Sequence, residues 1–187
     1  MIEVRPGGRR RIDRVLGEEY LRDLEKLPLG TLRERRDEAS QEETDLSFLR
    51  RMLHARIDIV RAEQERRSSG GQASVVDQLA AILAKNAVHT PARPGRHQPF
   101  EPTRTGERRR QVEALIADAG LSDVEALSDE ELTESLRAYT DEERSVSERR
   151  QQVQAVVDAL NAEITARYAA GTASVDELLA TERGEPG

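Results

Sequence analysis

The 187-residue chain has no cysteine and no tryptophan, and only three Tyr and two Phe. Without cysteine there is no disulfide framework, no thiolate metal site and no catalytic thiol. So few aromatic side chains cannot build a thick core, so apolar surface has to be buried along thin helical seams instead. Lysine is nearly missing as well. Of 29 basic residues only Lys26 and Lys85 are lysines, an arginine bias of the kind a GC-rich coding sequence produces. No apolar run approaches the length of a signal peptide or a membrane span, which leads to the expectation of a cytoplasmic protein without membrane attachment. The formal net charge of -7 argues against direct DNA binding, which needs a basic surface to displace counterions.

What the chain does have is 36% hydrophobic and 35% charged residues, arranged twice. Residues 21–80 and 121–180 share 21 identities in 60 ungapped positions, an internal duplication at an offset of 100. Residues 1–17, with Arg5, Arg9, Arg10, Arg11 and Arg14 among Pro6, Gly7 and Gly8, read as a flexible basic arm. The first helical repeat covers 18–85: a short helix over 18–27 ending at Pro28, a long helix over about 31–68 opened by a Thr31/Glu34 capping box, and a short apolar helix from Ser74 to about Leu83. Residues 86–110 hold Pro91, Pro94, Pro99 and Pro102 with no hydrophobic period, as a disordered linker does. The second repeat covers 111–183, with short helices near 111–119 and 122–127, a long helix over about 129–170 behind a Ser128/Glu131 capping box, and a terminal helix from Ser174; residues 184–187 form a tail.

Each long helix carries an apolar stripe at heptad-like spacing. Leu46, Leu49, Leu53, Ile57 and Val60 form the first, and Val146, Val153, Val156, Val157, Leu160 and Ile164 the second. These stripes predict an all-α fold, an elongated antiparallel coiled-coil hairpin made of two duplicated halves with short flanking helices. The roughly 60 residues between the long helices permit pairing within one chain or exchange into a dimer.

Beside each apolar stripe lies a polar one. Glu43, Ser47, Arg50, His54 and Asp58 recur as Glu143, Ser147, Arg150, Gln154 and Asp158 at the same spacings. At about 100° per residue the five positions share a face about 80° wide and roughly 22 Å long, about a right angle away from the apolar stripe. Any single one of these residues in a coiled coil is ordinarily solvated or paired on the surface. Four of the five positions are nevertheless identical between copies, against 17 of the other 55 compared, so this face was kept while its surroundings diverged. Its chemistry suits guanine. An arginine donates to O6 and N7 or stacks on the base, a carboxylate accepts from N1 and N2, and Ser, Gln or His reaches a ribose or phosphate oxygen. If the helices are antiparallel, the two faces become walls of one groove and the natural guest is itself twofold symmetric.

The spacing Glu-x3-Ser-x2-Arg-x3-Gln-x3-Asp, present on two helices of one chain, resembles the signature of the RsiG family of actinobacterial anti-sigma factors. The resemblance covers both helical repeats. It implies that Glu43, Ser47, Arg50, His54, Asp58, Glu143, Ser147, Arg150, Gln154 and Asp158 bind cyclic di-GMP, as an intercalated pair, and that the ligand-bound protein sequesters a WhiG-type sigma factor to repress sporulation genes. His54 departs from the family's Gln, since an imidazole cannot supply an amide's donor and acceptor at the same reach. Arg51, Arg56 and Arg149 are further candidates to offset the ligand phosphates. The short helices around Val75–Leu83 and Val175–Leu179 are candidates for the sigma-factor contact or, more simply, for capping the hairpin.

Two other classes remain open at this level. One is a ligand-independent coiled-coil adaptor, for which the polar face is only surface. The other is an enzyme using His54 and Asp58 on a metal. The enzyme reading finds no support in the chain: the second copy has Gln154, His89 and His97 fall in the linker, and there is no P-loop, nucleophile elbow or glycine-rich dinucleotide fingerprint. The expectation is a non-enzymatic protein with no metal or cofactor.

Overall fold

The computed structural model describes residues 4–70 and 121–171, with side chains from 124 onward in the second stretch. The linker, the tail and the short helices expected near 74–83, 111–119 and 174 onward lie outside the described residues. The fold is all-α, with two long helices that pack together. Among the described residues the helices are α1 (Arg11–Val15), α2 (Leu29–Ser68) and α3 (Asp129–Ala169), and 3-10 segments occupy Leu24–Lys26 and Leu121–Ala126. Among the described residues no helix is long and apolar enough to cross a membrane.

The long helices form where heptad spacing supplies a buried ridge. Leu32, Ala39, Leu46, Leu53 and Val60 on α2 are buried, and so are Leu132, Tyr139, Val146, Val153 and Leu160 at the corresponding places on α3. Burying a leucine or valine fully stabilises the fold by about 1.5–3 kcal/mol, so these ridges outweigh the charged residues around them. The neighbouring seam position is less apolar. It carries Leu49, but also Glu42, Arg56 and Glu63, all buried.

The chain divides into two compact units. In the unit that contains residues 44–70 and 121–149, Leu46, Leu49, Leu53, Ile57 and Val60 share a core with Val124, Leu132, Tyr139 and Val146. Here α2 and α3 run in opposite senses, because Arg50 meets Glu143 while Arg67 meets Asp129. The start of α3 is the expected capping box. Ser128 Oγ accepts from Glu131 N at 3.2 Å, and Glu131 Oε2 accepts from Ser128 N at 2.7 Å. Those bonds hold the Glu131 carboxyl below its ordinary range.

In the other unit, described over residues 4–43 and 150–171, the core consists of Ile12, Val15, Tyr20, Leu32, Ala39, Val153, Val156, Val157, Leu160 and Ile164. Within the segment 1–17 expected to be a flexible arm, the described residues from 4 onward carry a turn and α1. Pro6 and Gly7, the latter at φ 71, form a tight turn closed by Gly8 N donating to Arg5 O at 2.9 Å. The turn aims Arg5 N at Asp13 Oδ1 (2.9 Å), and Arg10 forks onto the same carboxylate at 2.8 Å through both Nε and Nη2. The Arg10 hydrogen bond outweighs burial and holds Asp13 at about 2. Gly8 cannot be replaced freely, since a Cβ there would lie 2.3 Å from Asp13 Oδ2. With its polar groups satisfied in this way, the segment buries Ile12 and Val15, and Arg14 pairs with Glu38.

Two other expectations are corrected in the same unit. Instead of a helix over 18–27 there is one 3-10 turn, because Asp23 takes a left-handed conformation at φ 51. α2 begins at Leu29, without the Thr31/Glu34 capping box: Leu32 N already donates to Pro28 O at 3.1 Å. Proline before the first turn loses nothing by lacking an N–H there, and its fixed φ favours the entry.

Candidate functional site

The polar motif on each helix is brought against the other helix in an exchanged manner. In the first unit Arg50 Nε donates to Glu143 Oε1 at 3.0 Å and lies 2.9 Å from Ser147 Oγ. Ser147 Oγ in turn donates to Glu143 Oε1 at 2.7 Å, one helical turn along α3. A glutamate and a serine from one copy therefore hold the arginine of the other. Burial pushes the Glu143 carboxyl up, but the bonds from Ser147 and Arg50 and the nearby His54 imidazole outweigh it, and the carboxyl sits below its ordinary range. In the second unit the exchange is repeated, with Arg150 Nη1 donating to Glu43 Oε1 at 3.2 Å.

The position at which the copies differ also behaves differently. His54 Nε2 lies 3.2 Å from Glu143 Oε1, but the approach is not aligned as a hydrogen bond, and Nε2 is buried without an aligned partner. Gln154 instead turns along its own helix, donating from Nε2 to Asp158 Oδ1 at 2.9 Å. A second buried nitrogen, Arg150 Nε, also has no hydrogen-bond partner. Among the described residues these two are the buried side-chain nitrogen or oxygen atoms left unmatched, and both belong to the ten motif residues. Unmatched buried nitrogens are costly and uncommon, so their coincidence with motif residues singles out the motif of each unit as the candidate site. Ser47 and Asp58 stand half-buried on α2, on the motif face, and Asp158 is exposed.

The sequence reading missed two aspects of this arrangement. It did not pair the glutamate of one copy with the arginine of the other, although opposite helix senses require that a motif facing its twin exchange ends. It also offered Arg56 to the ligand phosphates. Arg56 instead falls on the apolar seam, 6% exposed, with its guanidinium 5.6 Å from the centroid of the Tyr139 ring. Its heptad position, seven residues after Leu49 and seven before Glu63, carried that signal. Among the described residues no group of three or more His, Cys, Asp or Glu side chains is placed to hold a metal ion.

Comparison with known proteins gives one result in keeping with the duplication. A family model described as RsiG-like matches the chain twice, over residues 18–83 and 118–182, and each match contains one copy of the motif. No curated protein matches the chain. Most of the sequence lies inside the two matched segments, and the chain belongs to the RsiG-like family.

Proposed function

We propose that this protein is an anti-sigma factor that binds cyclic di-GMP through Glu43, Ser47, Arg50, His54, Asp58, Glu143, Ser147, Arg150, Gln154 and Asp158, and that the ligand-bound protein sequesters a WhiG-type sigma factor of sporulation genes. Family membership supports the anti-sigma role. The observation that carries the ligand assignment is the repeated Arg–Glu exchange, Arg50 with Glu143 and Arg150 with Glu43, accompanied by unmatched buried nitrogens on His54 and Arg150. A guanine base satisfies such a set. Its Hoogsteen edge takes an arginine fork, and its N1 and N2 donors suit a carboxylate already held in its charged form.

The mechanism is equilibrium gating. Ligand binding favours the state that holds the sigma factor, and by linkage the sigma factor tightens ligand binding by the same factor. A fall in cyclic di-GMP then releases the sigma factor to RNA polymerase. Calorimetric titration of cyclic di-GMP into the protein, alone and mixed with the sigma factor, tests this beside an Arg50→Ala, Arg150→Ala variant. The expected result is binding that the variant loses and that the sigma factor strengthens. Sigma-factor binding of equal affinity with and without ligand would sink the gating scheme.

A ligand-independent adaptor is the second reading. It is favoured by the completeness of the Arg50–Glu143–Ser147 network, which needs no guest to satisfy Arg50 Nε. On that reading the same double variant leaves all partner binding unchanged.

A further inference from the structure

The two long helices differ on their outer faces. α2 carries a second apolar stripe, Phe48, Met52, Ala55 and Ile59, at spacings of 4, 3 and 4. At about 100° per residue it lies about 130° round the helix from the seam that meets α3, and about as far from the polar motif. The same places on α3 hold Glu148, Gln152, Ala155 and Ala159. Glu148, Gln152 and Ala155 are exposed, as a helix face turned away from its partner ordinarily is, whereas Phe48, Met52, Ala55 and Ile59 are all half-buried. Every residue from Thr44 to Val60 is buried or half-buried, which marks the outer face of α2 as covered.

The cover is identified by what else differs between the copies. Each long helix is followed by a glycine in the left-handed conformation, Gly70 at φ 63 and Gly171 at φ 68, which turns the chain off the helix. A short segment follows each, 75–83 and 175–183. The first has Val75, Leu79, Ile82 and Leu83 at the i, i+4, i+7, i+8 spacing of an apolar helix face, with Val76 beside them. In the second, Val76, Ile82 and Leu83 are replaced by Asp176, Glu182 and Arg183. Stripe and segment are thus apolar together in the first copy and polar together in the second. Such joint variation is expected of elements that pack on one another. The short connection after Gly70 brings the segment back along α2.

We propose that the Phe48–Met52–Ala55–Ile59 face of α2 is a docking surface for residues 75–83 of the same chain, seated on it as an amphipathic helix. The first repeat is then a three-helix unit that the second, with a polar and exposed face on α3, does not copy. Residues 75–83 serve as an internal partner, which removes them from the candidates for the sigma-factor contact. The proposal does not depend on the cyclic di-GMP reading.

Hydrogen exchange on the full chain, read by mass spectrometry, tests this. A helix of about nine residues is marginal alone in water, so its amides are protected only when it is docked. Without ligand or sigma factor, residues 75–83 are expected to exchange at least about tenfold more slowly than residues 175–183. The triple substitution Phe48→Glu, Met52→Gln, Ile59→Ala gives α2 the residues α3 carries, and is expected to erase that difference while α3 stays protected. The set Val76→Asp, Ile82→Glu, Leu83→Arg is expected to do the same from the other side, and keeps the test decisive if the first variant does not fold. Rapid exchange of 75–83 in the unmodified chain overturns the proposal, and so does protection that both sets of substitutions leave intact. Protection that fades on dilution would assign the stripe to a second copy of the chain, and protection that appears only with the sigma factor would assign the segment to that partner. Either result overturns the seating within one chain.

Discussion

Arg50 and Glu143 come from different copies of the same motif, yet they bond to each other at 3.0 Å. Their counterparts Arg150 and Glu43 do so at 3.2 Å. Each copy thus supplies the cation for one pair and the anion for the other. The Arg50 side chain is 42% exposed and that of Glu143 18%, so this ion pair contributes little to folding.

That exposure separates binding from stability. Arg50→Ala is expected to lower the unfolding free energy by no more than about 1 kcal/mol. The same substitution should weaken cyclic di-GMP by at least about a hundredfold, the loss that follows removal of a charged, forked contact to a base. Denaturant unfolding and calorimetry on one sample read both quantities. A large loss of stability with unchanged ligand affinity would identify the pair as structural.

The N-terminal segment is expected to be a docked element whose integrity depends on Gly8. A methyl group at Gly8 would meet Asp13 Oδ2 at 2.3 Å and Arg5 O at 2.9 Å, and neither the turn nor the Arg10 fork can give way without losing a bond. Gly8→Ala should cost about 1–3 kcal/mol and expose the backbone of residues 4–17 to proteases. Hydrogen exchange measured by mass spectrometry checks it, with protection in this segment lost in the variant. Equal protection in both proteins would mean that the docking does not depend on the turn.

The helices were legible because their signals are long. Five apolar residues spaced seven apart, from Leu32 to Val60 and again from Leu132 to Leu160, outlast local noise, and the eleven seam residues read from sequence are all buried. α1 was not legible in the same way. Five residues cannot show a helical period, and its arginines and glycines resemble those of a solvated tail. The duplication held the missing clue: Arg9, Arg10, Ile12, Asp13 and Val15 match Arg109, Arg110, Val112, Glu113 and Leu115 in kind at the same offset of 100. A pattern kept twice is not a random tail. On each helix the five motif residues were readable as one stripe, but their exchanged pairing, the burial of Arg56 and the difference between His54 and Gln154 depend on the partner helix, which spacing along one helix does not contain.

The duplication also predicts a pair of arginine clasps. Arg67 holds Glu63 through Nε at 2.6 Å and reaches Val124 O and Glu125 O at 3.3 and 3.2 Å. Arg167 holds Glu163 at 2.8 Å and reaches Leu24 O and Leu27 O at 2.8 and 2.5 Å. In each unit a planar five-donor fork ties the end of a long helix to carbonyls of a 3-10 turn or of the residue after it. Arg67→Ala and Arg167→Ala should each lower the urea midpoint of unfolding, because each leaves a glutamate and two carbonyls without that donor. Lysine should not restore the loss, because an ammonium cannot reach a carboxylate and two carbonyls in that fixed geometry. Urea unfolding of the four variants decides it. Full rescue by lysine would reduce the clasp to a simple ion pair.

The last expectation concerns acid. Glu63, with no exposed surface, is held at about 2 by hydrogen bonds from Arg66, against burial, and by Arg67. Asp13 is likewise at about 2. A carboxylate whose pKa is lower in the folded state than in the unfolded chain binds fewer protons when folded. The stability these two contribute is therefore fully present above their ordinary values of 4.5 and 3.8, and it drains away as pH falls from there through about 2. Unfolding free energy measured between neutral pH and pH 2 should fall steeply below about pH 5, with a shallower slope in Glu63→Gln and Asp13→Asn. The substitutions also lower stability at neutral pH, because each leaves an arginine fork without its anion. A slope that neither substitution changes would mean that these carboxylates titrate alike in the folded and unfolded chain, and that the Arg66–Glu63 and Arg10–Asp13 bonds do not persist in solution.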